Sequence, residues 1–138
     1  MDCLFCQIIK HEISVEIVYE DERSLGVLDI NPRAPGHTMI IPKVHAETVL
    51  DLPDDYGAFI FQALKNMTEK LHQAFAPDGF TIGINHGRTA GQAIDHLHIH
   101  IIPRYKNDGG SSVHGVVQNP PKESLAKIRN KILNGSRN

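Results

Sequence analysis

The chain has 138 residues, 41% of them hydrophobic and 22% charged, which suits a single globular domain over residues 1–138 with a core of its own. A formal charge of -2 with scattered Lys and Arg leaves no electrostatic footprint for a nucleic-acid polymer, and no stretch approaches the roughly 20 apolar residues of a membrane span. The opening MDCLFCQIIKHE lacks the basic start and apolar run of a secretory signal, so a cytoplasmic location is expected; its two cysteines, Cys3 and Cys6, are too few and too close for a disulfide framework.

Apolar residues alternate in VEIVYE (15–20), with Val15, Ile17 and Tyr19 on one face, and SLGVLDI (24–30) follows a turn-like Asp-Glu-Arg, which predicts a hairpin. NPRAPGH (31–37) is a Pro- and Gly-rich loop, and HTMIIP (37–42) reads as a third strand. From Pro53 to Phe75 the period changes: Tyr56, Ile60, Ala63, Leu64, Met67, Leu71 and Phe75 recur every three or four positions, behind Asp54 and Asp55 in an expected first turn. FTIGIN (80–85) predicts a fourth strand, HGRTAGQ (86–92) a glycine-punctuated loop, and residues 96–102 a fifth strand that Pro103 stops. NDGGSS (107–112) reads as mobile and KESLAKIRNKIL (122–133) as a short helix carrying Leu125, Ile128 and Ile132 on one side. Strands joined mostly by short turns, with one long helix and a short C-terminal one, predict an α+β fold built on an antiparallel five-stranded sheet, its core over about residues 3–104 and a tail over 105–138.

The segment HLHIHIIPR (96–104) raises the functional question. On a strand, His96, His98 and His100 point one way and Leu97, Ile99 and Ile101 the other, the imidazoles stepping by roughly 6.5 to 7 Å. The aliphatic side belongs to the core, so the rings are expected together on the opposite surface. An ordinary strand with a His-rich outer face is one reading, but three histidines in strict alternation beside an apolar series favour a site. A metal site is a second reading, although no Asp or Glu follows at close spacing to complete a usual catalytic set. The third is nucleophilic catalysis by a neutral imidazole whose other nitrogen is held by an acceptor. Upstream, in NHGRTAGQ (85–92), Gly87 and Gly91 let backbone N–H groups approach an anion while Asn85 and Gln92 supply neutral donors.

Together these segments resemble a known family. GQAIDHLHIHIIPR is similar to the signature of the histidine triad (HIT) superfamily, His-φ-His-φ-His-φ-φ with φ apolar, preceded by Gly-Gln; the likeness continues through LDINPRAPGHTMIIPKVH (28–45) and covers most of the chain from Cys3 to about Arg104. The resemblance implies an α+β fold, a homodimer whose sheet continues across subunits, and hydrolysis or transfer of purine nucleotides at the α-phosphate. By position His98 corresponds to the nucleophile that forms a nucleotidyl-histidine intermediate. His100 lies near the phosphate, and the backbone carbonyl of His96 orients the nucleophile's ring. Asn85, Gly91, Gln92 and Ala93 correspond to residues beside the phosphate and leaving group, Asp29 to the acid that holds the ribose hydroxyls, and Ile30 to a neighbour of the base. Ala93 stands where some branches carry Ser or Thr, so a hydroxyl contact to the leaving group is missing. The tail lacks the Trp-bearing C-terminus of the eukaryotic nucleotide-binding branch and looks closer to bacterial or archaeal members, which implies dinucleoside polyphosphates or nucleoside phosphoramidates as substrates. A non-catalytic nucleotide-binding or signalling module is the alternative.

Some members also resemble this chain in a structural zinc site of two Cys and two His. Cys3, Cys6, His45 and His96 are the corresponding ligands, and a closed tetrahedral site would pin the N-terminal segment to the sheet. The other histidines, His11, His37, His72, His86 and His114, are expected to be surface or local hydrogen-bonding residues.

Overall fold

The period-two stretches become the strands of one sheet. The computed structural model describes residues 3–135, so the outermost residues of the expected domain, 1–2 and 136–138, lie outside the described residues. Strands β1 (Ile17–Glu20), β2 (Ser24–Leu28), β3 (Thr38–Pro42), β4 (Gly79–Gly83) and β5 (Ile99–Arg104) lie in the order β1-β2-β3-β5-β4. Every pairing is antiparallel. With helices α1 (Leu4–Ile9), α2 (Tyr56–Phe75) and α3 (Leu125–Leu133) this is the expected α+β architecture.

The long helix buries the stripe its spacing announced: Ile60, Ala63, Leu64, Met67 and Leu71 pack on Ile40, Ile99 and Ile101 of the sheet. It begins at Tyr56 rather than Pro53, with Asp55 at the N-cap and no acid in the first turn. The Asp55 carboxylate leaves the helix end free and meets Arg23 at 2.7 Å instead, because that guanidinium is anchored 4.3 Å over the Phe59 ring. On the sheet's opposite face α1 supplies Phe5 and Ile8 against Leu25, Val27, Met39 and Ile41, forming a second core. The six residues of α1 are too few to show a helical period, so this layer has no signature in the sequence.

Three expectations about the strands change. A bulge between Ile17 and Tyr19 breaks the alternation of β1, so Val18 and Tyr19 both pack toward α2 while Val15 joins the α1 side and Ile17 stays exposed. Opposite the bulge, Gly26 pairs with Tyr19, and a Cβ there would stand 2.8 Å from that of Tyr19, so only glycine allows the two strands to approach. Strand β5 starts at Ile99 and runs through Pro103, which pairs with Phe80. Proline is tolerated there because β3 begins opposite Ile101, leaving that side of β5 without a neighbour beyond this point. The NDGGSS run, expected to be mobile, is tied down by Arg104, which donates to the Asp108 carboxylate at 2.7 Å and to the Ser111 carbonyl at 2.6 Å. Helix α3 starts later than expected, at Leu125 behind a Ser124 cap, and buries none of its residues.

Candidate active site

His96 and His98 precede β5 and His100 lies in it opposite Met39, so the row of rings faces the α1 side while Ile99 and Ile101 pack toward α2. The rings do not sit on an open surface as expected. His96 is fully buried, His98 is 8% exposed, and His100 is half-buried. Phe5 is the cause: its ring meets His96 edge-on at 5.8 Å between centroids and His98 at 5.1 Å.

Each ring nitrogen with a backbone partner has a definable protonation. Nδ1 of His98 lies 2.7 Å from the carbonyl oxygen of His96, so this nitrogen donates and, in the neutral ring, Nε2 holds the lone pair. Among the described residues Ser24 Oγ is the one buried side-chain polar atom without a partner, so Nε2 of His98, which also has none, keeps access to solvent. His96 donates from Nε2 to the Pro42 carbonyl at 2.9 Å, which leaves its Nδ1 as an acceptor. Burial holds the His96 ring below the ordinary histidine pKa.

His100 meets a partner that was expected to be only a local residue. Nε2 of His37 lies 2.9 Å from Nδ1 of His100, and Oδ2 of Asp29 is 3.4 Å from the former and 3.8 Å from the latter. Burial, with the neighbouring His98 and His37, pushes the His100 pKa down to about 4, so it is neutral near pH 7. Asp29 follows β2, its other oxygen accepting from the Asn31 amide at 2.9 Å, while Ile30 is 82% exposed at the rim.

Two clefts flank this group and share Arg33 and Ala34. One runs along Asp29, Pro32 and His37; the other, about 840 Å³, is lined by Asn85, Thr89, His100 and Ile102. Asn85 is exposed and stands by Gly91, whose φ of 103° is open to glycine and costly for other residues. Gln92 is placed differently from the expected phosphate contact. It is 5% exposed, and its amide is spent on the backbone: Oε1 accepts from Gly87 N–H at 2.8 Å, and Nε2 donates to Glu47 at 2.8 Å and Ile94 at 3.0 Å. It shapes the loop, and the exposed Ala93 beside it offers only a methyl group.

Cys3, Cys6, His45 and His96 come together at the junction of α1 and the sheet, their donor atoms all within 4.8 Å of one another. Cys3 Sγ lies 3.3 Å from His96 Nδ1, Cys6 Sγ 3.3 Å from His45 Nδ1 and 3.6 Å from His96 Nδ1. Those separations suit ligands of one tetrahedral ion held at about 2.3 Å by sulfur and about 2.0 Å by nitrogen. His96 Nδ1 is the unprotonated nitrogen, as a ligand must be, because Nε2 is engaged with Pro42. Burial and the adjacent Cys3 raise the pKa of the Cys6 thiol, a strain that a bound cation would relieve.

A five-stranded antiparallel sheet with an alternating histidine row beside a glycine-shaped loop defines a histidine triad protein. The HIT domain model matches residues 10–107, and the chain belongs to that family. It is 44% identical over 125 residues to an uncharacterised HIT-like protein of Methanocaldococcus jannaschii, covering 91% of this chain and 96% of that one. It is 36% identical to an adenosine 5'-monophosphoramidase of Candida albicans, covering 95% and 96% of the two chains. The crystal structure of a HIT family member from Bacillus subtilis superimposes with a TM-score of 0.87 at 35% identity, covering 100% of this chain and 99% of that one.

His37, Arg33 and Phe5 are the site residues that sequence reasoning missed. Alternation assigns a side chain to a face but carries no register, and it is register that sets His37 beside His100.

Proposed function

We propose that the chain is a nucleotide hydrolase or nucleotidyl transferase acting at the α-phosphate of adenylated substrates through His98. The observation that carries this reading is the 2.7 Å bond from His98 Nδ1 to the carbonyl of His96, which aims an unprotonated Nε2 away from the backbone. That nitrogen attacks phosphorus in line; a P–N bond forms as the bond to the leaving group breaks, and the leaving group takes up a proton. Water then attacks the nucleotidyl-histidine, the P–N bond breaks, and the nucleoside monophosphate leaves. Positioning and charge stabilisation are the main demands of such transfers. His100 lies beside the phosphate, Asp29 holds the ribose hydroxyls, Ile30 meets the base, and Asn85 and the Gly91 turn face the phosphate and leaving group. The monophosphoramidase named in Candida albicans supports an adenylate as substrate.

The reading includes a structural zinc held by Cys3, Cys6, His45 and His96, closed by four protein ligands and therefore without a position for substrate. It also includes a homodimer: β4 is an edge strand, with Ile82 39% exposed, on which a second copy extends the sheet.

The test is to trap the protein during turnover of an adenosine phosphoramidate and weigh it. One added nucleotide is expected, together with a loss of at least about 10³-fold in kcat for His98→Ala. Nucleotide binding with no turnover across a panel of adenylates would show a silent binder instead.

A further inference from the structure

Two hydrogen bonds in series determine how His100 is protonated. The backbone N–H of Arg33 donates to Nδ1 of His37 at 3.0 Å. A backbone amide is always a donor, so Nδ1 of His37 is the acceptor and its proton sits on Nε2. That proton points at Nδ1 of His100, 2.9 Å away, which must then accept. His100 is left with its own proton on Nε2, an atom with no hydrogen-bond partner among the described residues, on a ring that lines the larger cleft. No other assignment of neutral rings satisfies both contacts.

We infer that His37 is a positioning residue that locks His100 in the Nε2–H tautomer as a neutral donor to the substrate's phosphate, an assignment that rests on the proposed reaction for its last clause. Adjacent rings of the histidine row are thereby held in opposite tautomers. His98 is protonated at Nδ1 and offers a lone pair; His100 is protonated at Nε2 and offers a proton. The row presents a nucleophile and a hydrogen-bond donor side by side, their ring centroids 5.1 Å apart. A free imidazole exchanges between tautomers, and the wrong one at His100 would turn a lone pair toward the anion. Burial keeps both His37 and His100 below the ordinary histidine pKa, so the series stays neutral near pH 7.

The same contacts argue against the other use of this cluster. Asp29, His37 and His100 have the donor set and proximity of a two-histidine, one-carboxylate metal site. A metal on His37 Nε2 would require a proton on Nδ1, directly against the Arg33 N–H.

Two measurements test the assignment. Long-range nitrogen-proton correlation spectra of histidine-labelled wild-type protein at neutral pH are expected to show His100 and His37 as Nε2–H and His98 as Nδ1–H. An Nδ1–H or exchange-averaged His100 would overturn the inference, whether or not the protein turns over any substrate. In kinetics with an adenosine phosphoramidate, His37→Leu is expected to lower kcat about 10- to 100-fold with KM changed less than about threefold, as for a displaced donor. His37→Gln, whose carbonyl accepts from Arg33 and whose amide donates to His100, is expected to recover most of that loss. A folded His37→Leu with wild-type kcat overturns the inference. Absence of turnover in wild-type protein overturns the proposed reaction and the donor role together, while the spectra decide the tautomer by themselves.

Discussion

Replacing Gln92 by Met keeps the length and bulk of the side chain and removes every polar contact it makes. The structure gives that amide three bonds of 2.8 to 3.0 Å, one closing residues 87–92 on themselves and two fastening that loop to the carbonyls of Glu47 and Ile94. Each is worth roughly 1 kcal/mol net, and Gly87, Glu47 and Ile94 are exposed enough for water to replace part of the loss, so the substitution costs about 2–3 kcal/mol. At about 4 °C per kcal/mol for a chain of this size, Tm falls by about 8–12 °C. Activity falls as well, because Asn85 and the Gly91 turn ride on the loop that Gln92 holds. Thermal melts of both proteins and initial rates taken well below either midpoint measure the two effects. A variant with unchanged Tm and a raised KM would refute the clamp and return Gln92 to direct contact with substrate.

Acid should weaken the fold through His100. Its folded pKa, about 4, lies below the ordinary 6.5, so between these values the unfolded chain binds more protons and stability falls with pH. The full contribution is present above about pH 6.5 and is lost toward pH 4, a swing of about 3 kcal/mol; urea midpoints across that window should flatten in His100→Gln relative to wild type. Metal removal should also destabilise. Protein purified without chelator is expected to carry one zinc per chain, and chelation, or Cys6→Ser, to lower Tm by about 5–10 °C with recovery of the wild type on adding zinc; metal-free protein whose melt ignores chelator would exclude the site.

The sequence disclosed whatever a period can express. The three-to-four spacing from Tyr56 to Phe75 named the face of α2 that is buried, and the alternation at residues 96–101 separated imidazoles from aliphatics. Where local pattern and tertiary contact compete, it disclosed less. Nothing in VEIVYE announces a bulge, because that irregularity exists to let β1 close on Gly26 across the hairpin. Asp55 looked like a helix-dipole acid and is instead the partner of a stacked Arg23 thirty-two residues earlier. The histidine row looked like a surface because the short helix that covers it is too brief to have a period. His37 was invisible for a related reason, since its neighbour in space lies 63 positions away and register alone joins them.

What α1 covers matters more than how much it buries. Phe5 packs on His96 and His98, Cys3 and Cys6 flank it, and His96 serves two purposes with different atoms. Its ring faces the thiols through Nδ1, while its backbone carbonyl takes the proton of His98 Nδ1. With an ion at Nδ1 as well as Pro42 at Nε2, the His96 ring would be unable to rotate, and the peptide bearing that carbonyl would be fixed relative to the sheet. The proposed zinc would thus act on the reaction without touching substrate: loosening the N-terminal helix frees His96, and with it the direction in which the nucleophile points.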